Sequence, residues 1–195
     1  MIFTETSAYN AALVERLGGE ACCLERLGLV LQTGYAAFKL VWLRNSQPKA
    51  HWRIDSLLLP HDYLNFWLTG ERTAEVGDAS GTGYFDTRKR RWCEEVFAEI
   101  APELDSKRVL PRLIEAHQPA GTVCPLLARE LWLADCVVVS SGGGYNMLGA
   151  IGTGNITPGL ITMSLGTSGT VCAHSDSPVI ADNATVENFF ASSGG

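Results

Sequence analysis

The stretch that most constrains this chain is "CVVVSSGGGYNMLGAIGTG", Cys136 to Gly154. Three consecutive β-branched residues predict a short buried strand. The three glycines that follow permit positive φ and close approach of the main chain. A pattern of small residues from Asn146 to Gly152 then predicts a helix. The first N–H groups of such a helix lack partners within it, so a strand–turn–helix corner of this kind can receive an anion or carry a catalytic group. An ordinary strand-ending turn has the same shape. The side chain mounted on this corner is a phenol, Tyr145.

The chain has 195 residues, of which 46% are apolar and 18% charged, enough to bury a real core. A net charge of -6 argues against nucleic acid and anionic membranes as partners. No apolar run reaches the length of a membrane span. "MIFTETSAYN" lacks the basic and apolar regions of a signal peptide, so a cytoplasmic location is expected. None of the six cysteines forms a C-x-x-C pair. Cys136 and Cys172 lie in apolar runs and are expected to be small buried hydrophobes. The sequons at Asn155 and Asn183 carry little meaning in a cytosolic chain.

Composition shifts near Arg129. All 15 Lys and Arg lie at or before it, while 11 of the 20 glycines lie after it. A helix-rich layer is therefore expected over about 1–132, and glycine-rich core strands with tight turns over about 133–195. Helical periods are predicted over Thr6–Leu17, Glu20–Leu27, "AAFKLVWLRNS", "HDYLNFWLTGE" closed by Gly70, "RWCEEVFAEI" and the end of "TVCPLLARELWL". "IDSLLLP" from Ile54 is predicted as a strand, as are "CVVVSS", "LITMSLGTS" and "GTVCAHS". Asp78 and Asp86 flank Gly, Ser and Thr and are read as turn formers. His61 and Asp62, after Pro60, are read as the start of a helix. Helices alternating with apolar strands argue an α/β fold.

A second glycine corner, "SLGTSGT" from Ser164 to Thr170, ends a strand in Gly-Thr-Ser-Gly. Its N–H groups and hydroxyls suit phosphate oxygens. No Walker lysine accompanies it, and "GAIGTG" does not follow a strand directly, so it is not a dinucleotide fingerprint.

Together these segments resemble the FGGY carbohydrate kinases, especially their xylulokinase branch. The family pattern reads GGG-Asp-Asn, a small-residue helix, then Ser-Leu-Gly-Thr-Ser-Gly. "LLLPHDYLNFWLTGE", "GDASGTGYFDTRKRRW" and "FKLVWL" resemble further family segments, in the same order along the chain. The resemblance implies an α/β, ribonuclease-H/actin-like ATPase fold, present as an incomplete N-terminal lobe. It implies transfer of the γ-phosphoryl of ATP, with Mg2+, to a hydroxyl of a small sugar, a ketopentose such as D-xylulose. By position, Gly166, Thr167, Ser168 and Gly169 match a phosphate-contacting loop, and Asn146 a sugar-contacting asparagine. No metal-binding residue is carried over.

Tyr145 matches the family's catalytic aspartate, and this is the main departure. A carboxylate at a helix start stays ionised at neutral pH and accepts a proton from a hydroxyl. A phenol has an ordinary pKa of about 10, so about one in a thousand is ionised at pH 7. Loss of general-base assistance costs about 10² to 10⁴ in rate. An inactive or slow enzyme is therefore expected. The resemblance also implies a fragment, since the family's Asp-x-Gly-Thr hairpin, Trp-x-Asp sugar segment and adenosine-binding lobe have no counterpart. A non-catalytic sugar- or nucleotide-binding remnant, whether pseudokinase or truncated gene product, is the second reading.

Overall fold

The computed structural model of the chain describes residues 4–166 and 169–176. It divides into two units. Among the described residues, one is built from 4–57 and 79–111, the other from 58–78 and 112–176.

The first unit opens with helices α1 (Thr4–Arg16), α2 (Gly19–Leu27), α3 (Ala36–Ser46) and the single turn α4 (Pro48–His51). Gly18, at φ 96°, separates α1 from α2. Gly28, at φ 77°, closes α2 by donating its N–H to the Leu24 carbonyl, the left-handed cap that glycine favours. Arg88 reinforces this end, its guanidinium donating to the carbonyls of Leu24, at 2.9 Å, and Glu25. The basic run 88–91 therefore serves a helix terminus and a hairpin turn. Asp86 Oδ1 accepts the N–H groups of Arg88 and Lys89, both at 3.1 Å, which bears out its reading as a turn former.

The core of this unit is continuous. Leu13, Leu17, Leu27, Phe38, Leu40, Val41, Phe97, Ile100 and Val109 are all buried in it. The buried stripe on α3 is Ala37, Phe38, Leu40 and Val41, residues that share one face of a helix.

The helix α7 (Glu94–Ile100) supplies Phe97 and is preceded by the hairpin β2 (Phe85–Asp86) and β3 (Arg91–Trp92). Trp92 thus ends a strand, where a helix start was expected. Its ring meets Phe85 edge-on at 5.6 Å, and its Nε1–H donates to the Pro111 carbonyl at 2.8 Å. Partly burying the indole with its N–H satisfied favours the strand over an added helical turn.

The expected strand from Ile54 does not form. Leu57 donates one bond to the Val109 carbonyl at 2.8 Å, but Val109 is the last residue of a short helix, α8 (Ser106–Val109). A helix end does not supply the regular ladder that a strand needs.

In the second unit, α5 (Pro60–Thr69) leads to strand β1 (Thr73–Glu75). A short turn, α6 (Val76–Ala79), runs into a 3-10 turn at Ser80–Thr82 and so carries the chain into the first unit. Asp62 fixes the start of α5, its Oδ2 accepting the Leu59 N–H at 3.3 Å. Gly70 closes it at φ 80°. β1 pairs in parallel with β4 (Arg112–Ile114), in register Thr73↔Arg112 and Glu75↔Ile114. β5 (Gly121–Thr122) pairs antiparallel with β6 (Val138–Val139), and α9 (Pro125–Glu130) lies between them in sequence. Only Val138 and Val139 of the apolar run enter the ladder. Cys136 is exposed at φ 62°, and Cys172 is only half-buried. Cys136 lies in the turn before the strand rather than within it, and Cys172 lies in β8, a strand with no fully buried residue among those described. All six cysteines are free thiols.

The helix α10 (Tyr145–Gly152) and the hairpin of β7 (Ile161–Leu165) and β8 (Gly169–Ala173) complete the described chain. Ile161, Met163, Leu165 and Val171, apolar residues of this segment, stand exposed.

Candidate active site

The turn between β6 and α10 is built from below by α5. Asn65 is buried on that helix, and its Nδ2–H donates to the Ser141 carbonyl at 2.7 Å. The Ser141 hydroxyl donates to the Ala116 carbonyl at 2.8 Å. The chain is thus pinned just before the glycines. Gly142 adopts φ 81°, and a Cβ added there would lie 3.0 Å from the His61 ring. One residue in this turn therefore needs glycine both for its backbone angle and for its neighbour. Gly144 caps α10 in extended conformation. A Cβ on it would stand 3.3 Å from Asp78 Oδ1.

His61 and Asp78 are charged groups at this turn. His61 Nδ1 lies 2.9 Å from Asp78 Oδ2. His61 Nε2 lies 3.0 Å from Asp62 Oδ1, a contact of charge without hydrogen-bond alignment. Burial alone would lower the imidazole pKa. The carboxylates of Asp62 and Asp78 outweigh it and push the pKa up to about 10. His61 is thus an imidazolium held between two aspartates. The reading of His61 and Asp62 as a helix start is correct. The further partnership with Asp78 joins residues remote in sequence, and no local pattern signals it.

Glu75 is fully buried at the end of β1. Burial raises its pKa, and the hydrogen bonds it accepts from the N–H groups of Gly77 at 2.8 Å and Asp78 at 3.0 Å act against this. These bonds curl the chain after β1 and hold the Asp78 main chain. Asp78 is therefore more than the turn former expected of it.

Tyr145 is the first residue of α10, and the residue is 78% exposed. The phenol stands in solvent. Asn146 follows, half-buried. Gly166 sits in the bend after β7 and Gly169 opens β8, paired with Leu165. Thr167 and Ser168 lie outside the described residues.

What ties the helix to the hairpin is Asn155, which the sequence offered only as a sequon. It is buried, and its Nδ2 donates to Thr162 Oγ1 at 3.2 Å and to the Cys172 carbonyl at 3.0 Å. Thr153 closes α10, its hydroxyl donating to the Ala150 carbonyl at 2.9 Å. The residues at both ends of the glycine-rich segment are thereby parts of one packed body. Among the described residues, no group of three or more His, Cys, Asp or Glu side chains is placed to hold a metal ion. No helix of the described chain is long and apolar enough to cross a membrane.

Solved structures share this architecture. A xylulose kinase from Bifidobacterium adolescentis superposes with a TM-score of 0.86 at 23% identity, covering 98% of this chain and 45% of its own. A second, described as a xyloylose kinase from Brucella ovis, gives a TM-score of 0.74 at 34% identity, covering 88% of this chain and 33% of its own. The fold is the α/β fold of the actin-like ATPases.

Within that class the chain belongs to the FGGY family of carbohydrate kinases, whose N-terminal domain matches residues 4–152. It is 50% identical over 192 residues to the xylulose kinase of Haemophilus influenzae, covering 98% of this chain and 39% of that protein. It is 35% identical over 162 residues to the xylulose kinase of Escherichia coli, covering 83% of this chain and 33% of that protein. The chain thus spans about two fifths or less of these relatives' length.

Proposed function

We propose that this chain is the sugar-handling part of a xylulose kinase-type enzyme, one that transfers the γ-phosphoryl of ATP to a hydroxyl of D-xylulose or a related ketopentose in the cytoplasm. The observation that carries this is the likeness to the Haemophilus influenzae xylulose kinase along nearly the whole chain. The supported glycine turn adds to it.

In this reading the turn presents residues 145 and 146 to the sugar. Asn146 holds a hydroxyl, and Gly166, Thr167, Ser168 and Gly169 take the phosphates. Preorganised N–H groups at such corners need no rearrangement as charge develops. Mg2+ is usually held by one or two carboxylates together with substrate phosphates, and it would neutralise charge on the transferred phosphoryl. The two layers read from composition, about 1–132 and about 133–195, remain part of the proposal.

Tyr145 sets the rate. The test is ADP release by the complete polypeptide to which these residues belong, with ATP and D-xylulose, compared between the native protein and Tyr145→Asp. The aspartate variant is expected to be faster by at least about tenfold. Equal rates would sink the assignment of this position.

A second reading, a sugar-binding remnant without turnover, draws on the solvent-exposed phenol. A melting temperature raised by D-xylulose, with no ADP release from either protein, is the outcome that favours it.

A further inference from the structure

If position 145 carries no base, the geometry of the turn raises the question of what else there can take a proton. Asp78 has three properties that suit it. Its carboxylate stands against Gly144, with Oδ1 3.3 Å from the point a Cβ on that glycine would occupy. Adjacent Cα atoms are about 3.8 Å apart, so this oxygen lies one residue from the position that the family fills with aspartate. Its orientation is fixed from two sides. His61 Nδ1 holds Oδ2 at 2.9 Å, and the Asp78 N–H is held by buried Glu75 at 3.0 Å. Finally, 31% of the side chain remains exposed. It is an oriented, partly exposed carboxylate beside the turn.

We infer that Asp78 is the proton acceptor for the turnover this protein retains. The inference rests on the sugar-kinase reading above. The sugar hydroxyl oxygen forms a bond to the γ-phosphorus of the nucleoside triphosphate. The bond from that phosphorus to the β–γ bridging oxygen breaks, and the nucleoside diphosphate leaves with the electron pair. The hydroxyl proton passes to Asp78 Oδ1. Gly144 is required because any side chain would stand between Oδ1 and the substrate face of the turn. His61 is a positioning residue that keeps Oδ2 engaged and so leaves Oδ1 turned toward Gly144.

The test is a double-mutant cycle in the complete polypeptide: native, Asp78→Asn, Tyr145→Asp and the double variant. ADP release and D-xylulose binding, by calorimetry, are both measured. Asp78→Asn is expected to lower native turnover about 10²-fold with sugar affinity within about threefold. In the Tyr145→Asp background the same change is expected to cost at least tenfold less, because the restored aspartate takes the proton. Asp78→Glu, which keeps a carboxylate, is expected to retain more turnover than Asp78→Asn. Equal losses in both backgrounds would make Asp78 a structural residue and overturn the inference. So would a native protein with no turnover beside an active Tyr145→Asp variant, an outcome that leaves the sugar-kinase reading standing. Inactivity of all four proteins overturns both.

Discussion

The side-chain amide of Asn65 donates to the main-chain carbonyl of Ser141 at 2.7 Å, and both residues are buried. One helix thereby fixes the exit of strand β6. Asn65→Ala leaves that carbonyl unsatisfied and is expected to destabilise the protein by about 1–3 kcal/mol. Urea unfolding checks this. A midpoint unchanged from the native protein would show that the bond adds nothing.

The imidazolium of His61 gives the protein a pH signature. Its pKa in the folded chain, about 10, lies above the ordinary value of 6.5. A raised pKa means that the folded state holds the proton more tightly. The stability from pairing with Asp62 and Asp78 is therefore complete below pH 6.5 and lost as pH rises through about 10. The difference in stability between the native protein and His61→Gln is expected to shrink steadily over that window. An imidazole that titrates below pH 7 by NMR would contradict the arrangement.

Two glycines separate backbone strain from collision. Gly28 and Gly19 have similar positive φ, 77° and 87°. An added Cβ at Gly28 would collide with Thr87 Oγ1, and one at Gly19 would meet nothing within 4 Å. Gly19→Ala is expected to cost about 1–2 kcal/mol from φ alone. Gly28→Ala adds overpacking, for a total of about 2–5 kcal/mol. Equal losses in thermal or urea unfolding would rule out the close approach of Thr87.

The thiols differ in reach. Cys23 is buried, and burial, followed by its neighbour Cys22, pushes its pKa up to about 11. Cys136 is exposed. With limiting iodoacetamide at pH 7.5, peptide mass spectrometry is expected to find Cys136 modified early and Cys23 last, since the thiolate is the reactive form. Early modification of Cys23 would mean that its surroundings open readily.

Local chemistry made much of this legible. Gly18 and Gly70 follow helices where the sequence places their ends, and α5 begins at Pro60, so His61 and Asp62 lie at a helix start as expected. The glycine turn, α10 and the β7–β8 hairpin follow from the alternation of branched and small residues. The illegible parts are held by partners far away in sequence. Three residues pair in parallel at β1 and β4, too few to show a period. Ile54–Pro60 has a strand's composition, but its neighbour offers only a helix end. Asn155 and the His61–Asp78 pair depend on contacts that no window of sequence contains.

The order in which the two units are threaded has a practical consequence. The chain leaves the second unit after β1, adds residues 79–111 to the first, and returns at β4. Neither unit is one continuous piece of polypeptide. No single cut can release either of them whole, so a polypeptide trimmed to one unit must be stitched from separated segments or circularly permuted. During synthesis β1 waits for its partner until the entire intervening segment has been made. Closing so long a loop favours late pairing. The parallel ladder beneath the candidate site is therefore expected to lock late, and truncation before Arg112 leaves Glu75 without the strand against which it is buried.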